Sequence, residues 1–233
     1  MKLLVTGGEG QMGRALRTHF PDAVYLGSRA LDVRDRGAVA RTMRRLRPTV
    51  VLHAAAITDH QCPDDNALIE TNILGTRTVA NAAYYAGARL IYLSTHYVYP
   101  CEDGGYRETD HTRPVGTYAW TKRMGESYAR EDTLVIRGSW YTPEKVAGWK
   151  VAFTDAFTSR EPIANAAAKI ARLLLSGARG IVNIGGKHRS FYEIARDQGA
   201  PIAASRLDWR GPYVFPRDSG VDTSYYQRLC PAS

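Results

Sequence analysis

Leu3-Leu4-Val5-Thr6-Gly7-Gly8-Glu9-Gly10-Gln11-Met12-Gly13 passes from an apolar run through a cluster of glycines into a segment of helical pattern. This order reads as strand, sharp turn and helix. Gly8, Gly10 and Gly13 satisfy the G-x-G-x-x-G spacing, which supplies a tight turn, room for a pyrophosphate to approach the backbone, and close packing of helix on strand. The amino end of the helix then meets the phosphate charge. Gly7, Gly10, Gln11, Met12 and Gly13 are the candidate cofactor residues of this turn.

Outward from the glycines, apolar runs recur at Leu3–Thr6, Ala23–Leu26, Val50–Ala54, Leu90–Ser94, Leu134–Ile136 and Ile181–Ile184. Three of them are almost continuously apolar, the pattern of strands covered on both faces. Helical patterns lie between them at Gln11–His19, Arg36–Leu46, Ala67–Ala86, Tyr118–Arg130, Ile163–Leu175 and Ser190–Arg196, with Pro48, Gly87 and the Gly177/Gly180 pair as stops. Repeated βαβ units predict an α/β fold with a doubly wound parallel sheet of Rossmann type. Tyr97–Gly116, Trp140–Pro162 and the tail after Gly199 break the alternation; following strands, they are expected at the carboxyl edge of the sheet, where such folds bind ligands. The expected partition is a nucleotide-binding core over residues 1–139 and a mixed region over 140–233 that adds the last strand and helices and a small, abbreviated C-terminal substrate-binding region.

A chain of 233 residues with 44% hydrophobic and 23% charged residues has the composition of a folded domain rather than a disordered tail. Its +8 formal charge permits an anionic partner, but Arg41, Arg44, Arg45 and Arg47 fall at helical spacing as a solvated face, so no nucleic acid is expected. Three cysteines without a C-x-x-C pair suggest neither a disulfide framework nor a thiolate metal site, and the six histidines form no zinc pattern, so no metal is expected. The first apolar run turns to glycine before signal-peptide length, and no stretch reaches membrane-spanning length; a cytoplasmic protein without a membrane partner is expected.

The second strand ends in Gly27-Ser28-Arg29. A carboxylate there would hold a ribose 2′-hydroxyl and repel a 2′-phosphate, whereas Ser28 and Arg29 can donate to that phosphate. NADP(H) is therefore favoured, with NAD(H) as the alternative. Asp32 is placed to face the adenine end or to cap a helix. After the third strand, His53-Ala54-Ala55-Ala56 puts small side chains where the chain passes the cofactor, and Asn72 and Thr76 are polar positions early in the long helix, with either a supporting or a merely structural role.

Strand four ends in Ser94-Thr95-His96-Tyr97, and a later helix opens with Tyr118-Ala119-Trp120-Thr121-Lys122. Four residues apart, Tyr118 and Lys122 share a helix face, and a cation near a phenol is expected to lower its pKa toward neutrality. Such a pair places a proton donor beside a hydride carrier.

With these motifs the chain resembles the extended short-chain dehydrogenase/reductase family, and within it the nucleotide-sugar reductases of the dTDP-4-dehydrorhamnose reductase type. The likeness continues through Leu31-Asp32-Val33, Arg47-Pro48-Thr49-Val50-Val51, Gly125-Glu126, Arg137-Gly138-Ser139-Trp140, Asn183-Ile184-Gly185-Gly186 and Arg217 to Ser224. It implies that Tyr118 is the general acid, that Lys122 binds the nicotinamide ribose and tunes the phenol, and that Thr95 bonds the reacting oxygen. It also implies that His53 to Ala56 line the cofactor cleft and that Thr95, His96, Ser139, Trp140 and Arg217 meet the substrate. The implied reaction is NADP(H)-dependent reduction of the 4-keto group of a nucleotide-linked deoxy sugar. An NAD-dependent nucleotide-sugar epimerase and a noncatalytic nucleotide-binding regulatory subunit are the alternatives, and a homodimer is a candidate assembly. The chain departs from the family pattern at His96 and Trp120, and at Tyr141-Thr142-Pro143, where the substrate-covering segment is short.

Overall fold

The structure, a computed structural model, describes residues 1–59, 62–199, 201–208 and 215–231. Six strands, β1 (Leu3–Thr6), β2 (Val24–Leu26), β3 (Val50–His53), β4 (Arg89–Thr95), β5 (Leu134–Gly138) and β6 (Gly180–Asn183), form one sheet in the order β6-β5-β4-β3-β1-β2. All neighbours in it are parallel. The winding direction reverses beside β1, so the carboxyl ends of β1 and β3 flank the crevice in which open α/β sheets bind ligands.

Alternation along the strands assigns the two helical layers. Leu3 and Val5 of β1, Val50 and Leu52 of β3, and Ile91 and Leu93 of β4 share one core with Met12 and Leu16 of α1 (Gln11–Leu16) and with Ile170, Leu173 and Leu174 of α7 (Ile163–Ser176). Leu4, Val51 and Leu90 point the other way, onto Val39 and Met43 of α2 (Arg36–Leu46) and Val79 and Ala83 of α4 (Thr76–Tyr85). The period of two, with both faces covered, explains the unbroken apolar runs. Truncating Leu173, fully buried in the first core, to Ala is expected to cost about 2–5 kcal/mol.

Local chemistry sets the ends of these elements. The carboxylate of Asp35 accepts from Ala38 N at 2.9 Å and caps α2, while Arg47 closes it in the left-handed region ahead of Pro48. Asp32 is not that cap; it is engaged by the backbone and guanidinium of Arg34 at 2.7–3.1 Å.

The long helix expected over Ala67–Ala86 is interrupted. α3 (Asp65–Leu68) runs into a π-helical turn, Ile69–Gly75, before α4. The wider turn places Asn72 inside the fold, where its side chain accepts from Ile57 N at 2.8 Å and donates to Ile57 O at 2.9 Å and Thr121 Oγ1 at 3.0 Å. It thereby ties the segment after β3 to α5 (Gly116–Glu126).

Beyond residue 139 the chain adds α6 (Pro143–Ala147), then α7, β6, α8 (Phe191–Asp197) and α9 (Ser224–Leu229). Tyr141, Val146, Ala152, Phe191 and Ile194 form a small separate core beside the sheet. Among the described residues no helix is long and apolar enough to cross a membrane.

Candidate active site

The glycine turn is built as close packing demands. Gly7 sits at φ 68°, and a Cβ there would lie 2.6 Å from Ala55 N; a Cβ on Gly13 would lie 2.6 Å from Gly8 O. Gly8 itself turns away from the crevice against Tyr25, so the residues facing the open side are Gly7, Gly10 and Gly13 rather than the Gly8, Gly10, Gly13 set of the spacing motif. They line a cavity of about 710 Å³ together with Thr95, Tyr118, Lys122, Ser139, Trp140, Trp149 and Arg160.

Thr95 closes β4, and its buried side chain lines the cavity with Tyr118 from the first turn of α5, where its hydroxyl favours the ionised phenol. Lys122, one turn further along, is buried; its Nζ lies 4.3 Å from the centroid of the Tyr92 ring. Burial pushes Lys122 down to about 7, opposed by the Glu126 carboxylate.

Tyr118 is displaced in the direction opposite to expectation. Desolvation, reinforced by Tyr97, raises its pKa above the ordinary phenol value, and the Thr95 hydroxyl and the Arg160 charge only partly offset this. A lysine largely stripped of water, itself close to losing its charge at neutral pH, is not a fixed cation beside the phenol. The resting tyrosine is a protonated donor.

Glu126 anchors α5 to the sheet. Its carboxylate accepts from Ser94 Oγ at 2.6 Å and from Arg137 of β5 at 2.9 and 2.7 Å, and Arg137 also donates to Tyr99 Oη at 2.9 Å. Both members of this pair are buried, so losing one partner would strand a charge in the interior. The network fixes the helix that carries Tyr118 and Lys122.

The cavity brings together Gly7, Gly10, Gln11, Met12, Gly13, Ala54, Ala56, Thr95, Tyr118, Lys122, Ser139 and Trp140. Other expected site residues lie elsewhere. Ala55 alternates away from Ala54 and Ala56 and packs beneath Gly7. His53 is fully buried, its ring bridging Thr6 Oγ1 at 2.7 Å and Thr76 Oγ1 at 3.0 Å; burial, and secondarily Lys122, holds it down at about 3, so it is a neutral strut of the sheet.

Asn72 is consumed by Ile57 and Thr121. His96 is buried behind the cavity wall with Nε2 against Ile184 O at 2.8 Å, and desolvation lowers it to about 4. Ser28 and Arg29 are exposed after β2 and, like Asp32, lie outside the cavity lining. Arg217 is exposed, its carbonyl accepting from Phe157 N at 2.7 Å.

Sequence reasoning missed Arg160, Lys145 and Trp149 on the cavity wall. No spacing marks them: they enter from the irregular Trp140–Pro162 stretch, and only its expected place at the carboxyl edge pointed there.

The RmlD substrate binding domain family matches residues 1–170. The dTDP-4-dehydrorhamnose reductase of Mycobacterium tuberculosis is 34% identical over 153 residues, covering 60% of this chain and 50% of that protein. The chain spans about half the length of the curated relatives it matches. A crystal structure described as a hypothetical dTDP-4-dehydrorhamnose reductase from Sulfolobus tokodaii superposes with a TM-score of 0.90 at 26% identity, covering 100% of this chain and 96% of that one. The dTDP-4-dehydrorhamnose reductase of Bacillus anthracis in complex with NADP has the same fold, with a TM-score of 0.90 at 22% identity over 100% of this chain and 94% of that one. With its parallel six-stranded sheet and a matched segment running from the glycine turn into α7, the chain belongs to the RmlD substrate binding domain family.

Proposed function

We propose that this chain is an NADP(H)-dependent reductase of the 4-keto group of a nucleotide-linked deoxy sugar. The observation that carries this reading is a single cavity lined both by the glycine turn, Gly7, Gly10 and Gly13, and by Thr95, Tyr118 and Lys122. The relatives named as dTDP-4-dehydrorhamnose reductases and the neighbour bound to NADP support the substrate class and cofactor.

The residues fit such a cofactor. Gly7, Gly10 and Gly13 let the turn pack tightly on its own backbone and line the cavity without side chains, and α1 has no acidic residue in its first turn to oppose a phosphate. Ser28 and Arg29 are exposed for a 2′-phosphate. Glu9, next to Gly27, is paired with Arg17 at 2.5 Å and Arg14 at 3.8 Å, which offsets its repulsion. Bound there, NADPH supplies the hydride.

The chain's own side chains handle the oxygen and the proton. Thr95 and Tyr118 hold the carbonyl oxygen; as negative charge grows on it, the Tyr118 phenol transfers its proton there, and solvent reprotonates the phenolate after release. Lys122, when protonated, stabilises that transient phenolate and donates to the ribose. The test is incubation of the pure chain with NADPH and dTDP-, UDP- and GDP-linked 4-keto sugars, followed at the nicotinamide absorbance. Oxidation of NADPH matched by formation of the 4-hydroxy sugar is expected; no oxidation with any of the panel contradicts the reading.

A further inference from the structure

The cavity lining carries residues to which the proposed reduction gives no task. After β5 the chain passes Ser139 and Trp140, crosses α6 and returns at Arg160, presenting Trp140, Lys145, Trp149 and Arg160 to the space that also holds Tyr118. Among the described residues, three basic residues and one carboxylate, Asp59, line the cavity. Lys122 belongs to the reaction centre, which leaves Lys145 and Arg160 as an excess of positive charge on the wall.

Arg160 is held but not satisfied. A terminal nitrogen donates to Trp140 O at 3.0 Å, fixing the guanidinium against the wall, while Nε is buried without a hydrogen-bond partner among the described residues. A buried donor left open costs roughly 1–3 kcal/mol, so an arginine in this state is poised to take an acceptor. Its planar fork matches phosphate oxygens in pairs, while Lys145, exposed and part of the same lining, adds a second cation on a flexible stem.

The glycine turn accounts for the cofactor's phosphates. A substrate whose carbonyl oxygen sits at Thr95 and Tyr118 must therefore place its own phosphates elsewhere on the lining, where Lys145 and Arg160 are the remaining cations among the described residues. We propose that Arg160, assisted by Lys145, is the clamp for the diphosphate of a nucleoside diphosphate-linked substrate. The proposal rests on the reading above for the presence of such a substrate. It adds the residues that recognise it, and they lie in the short segment after Trp140, where the chain departs from the family pattern.

Calorimetric titration of the full chain with dTDP and UDP, with and without saturating NADP⁺, tests this. Arg160→Gln is expected to weaken both diphosphates at least tenfold, Arg160→Lys less, and Lys145→Gln several-fold. Thymidine affinity and NADP⁺ affinity should be unchanged, and the melting temperature should not fall. Added salt should weaken diphosphate binding in the parent more than in Arg160→Gln.

Undiminished diphosphate binding by Arg160→Gln would overturn the clamp. So would equal losses for thymidine or NADP⁺, which would mark a collapsed wall, and so would a parent chain that binds neither diphosphate at millimolar concentration. Failure of the reductase reading looks different: no keto sugar is reduced, yet diphosphate affinity still depends on Arg160.

Discussion

Tyr92 and Lys122 hold each other from two directions: the Lys122 Nζ lies 4.3 Å from the centroid of the Tyr92 ring, and the Tyr92 hydroxyl donates to the Lys122 carbonyl at 3.1 Å. The ring face favours the cation, but burial outweighs it and brings the lysine to about 7.

That shift has a signed consequence for stability. Between about pH 7 and the ordinary lysine value near 10.4, the unfolded chain binds a proton at Lys122 that the folded chain does not, so this residue makes stability rise with pH. Lys122→Met removes the cost. The variant is expected to unfold at higher denaturant concentration than the parent at pH 7, by up to a few kcal/mol, with the advantage shrinking toward pH 10. Denaturant melts at the two pH values check this; an advantage that is absent, or that grows with pH, contradicts it.

Acid should act through two buried histidines. His53 and His96 are held neutral, at about 3 and about 4, whereas in the unfolded chain they take up protons near 6.5. Their contribution is complete above about pH 6.5 and is lost as pH falls toward 4, at up to about 1.4 kcal/mol per pH unit for each. His96→Gln should show a shallower loss between pH 6.5 and 4.5. An unchanged slope would mean that His96 is not buried and neutral in solution.

Much of this frame was legible from residue types. The glycine turn needs residues without a Cβ, and the Pro48 stop marks the carboxyl end of α2, whereas its amino cap is Asp35 rather than Asp32. The π-helical turn was hidden because its cause is tertiary: Asn72 reaches Ile57 and Thr121 across the fold. The same holds for Glu126, which is partnered by Ser94 and Arg137, and for Arg160, brought to Tyr118 by irregular chain. His53 and His96 stood beside functional residues in sequence, yet alternation along a strand and a tight turn at its end directed them inward.

Cofactor choice should reside at the end of β2. With no carboxylate at Gly27-Ser28-Arg29, the chain is expected to bind NADPH more tightly than NADH, and Arg29→Ala to narrow that preference about tenfold or more through loss of a charge-assisted bond to the 2′-phosphate. Fluorescence titration with both cofactors checks it. Equal affinities in the parent, or a preference untouched by the substitution, would remove Arg29 from the site.

The proton donor is the centre of the account, and single-turnover hydride transfer to the best 4-keto sugar nucleotide tests it most directly. Tyr118→Phe keeps the ring packing and is expected to bind NADPH nearly as the parent does, while transferring hydride about 10²–10⁴-fold more slowly. A Tyr118→Phe rate equal to the parent's, with NADPH affinity intact, would contradict the assignment of Tyr118 as the acid.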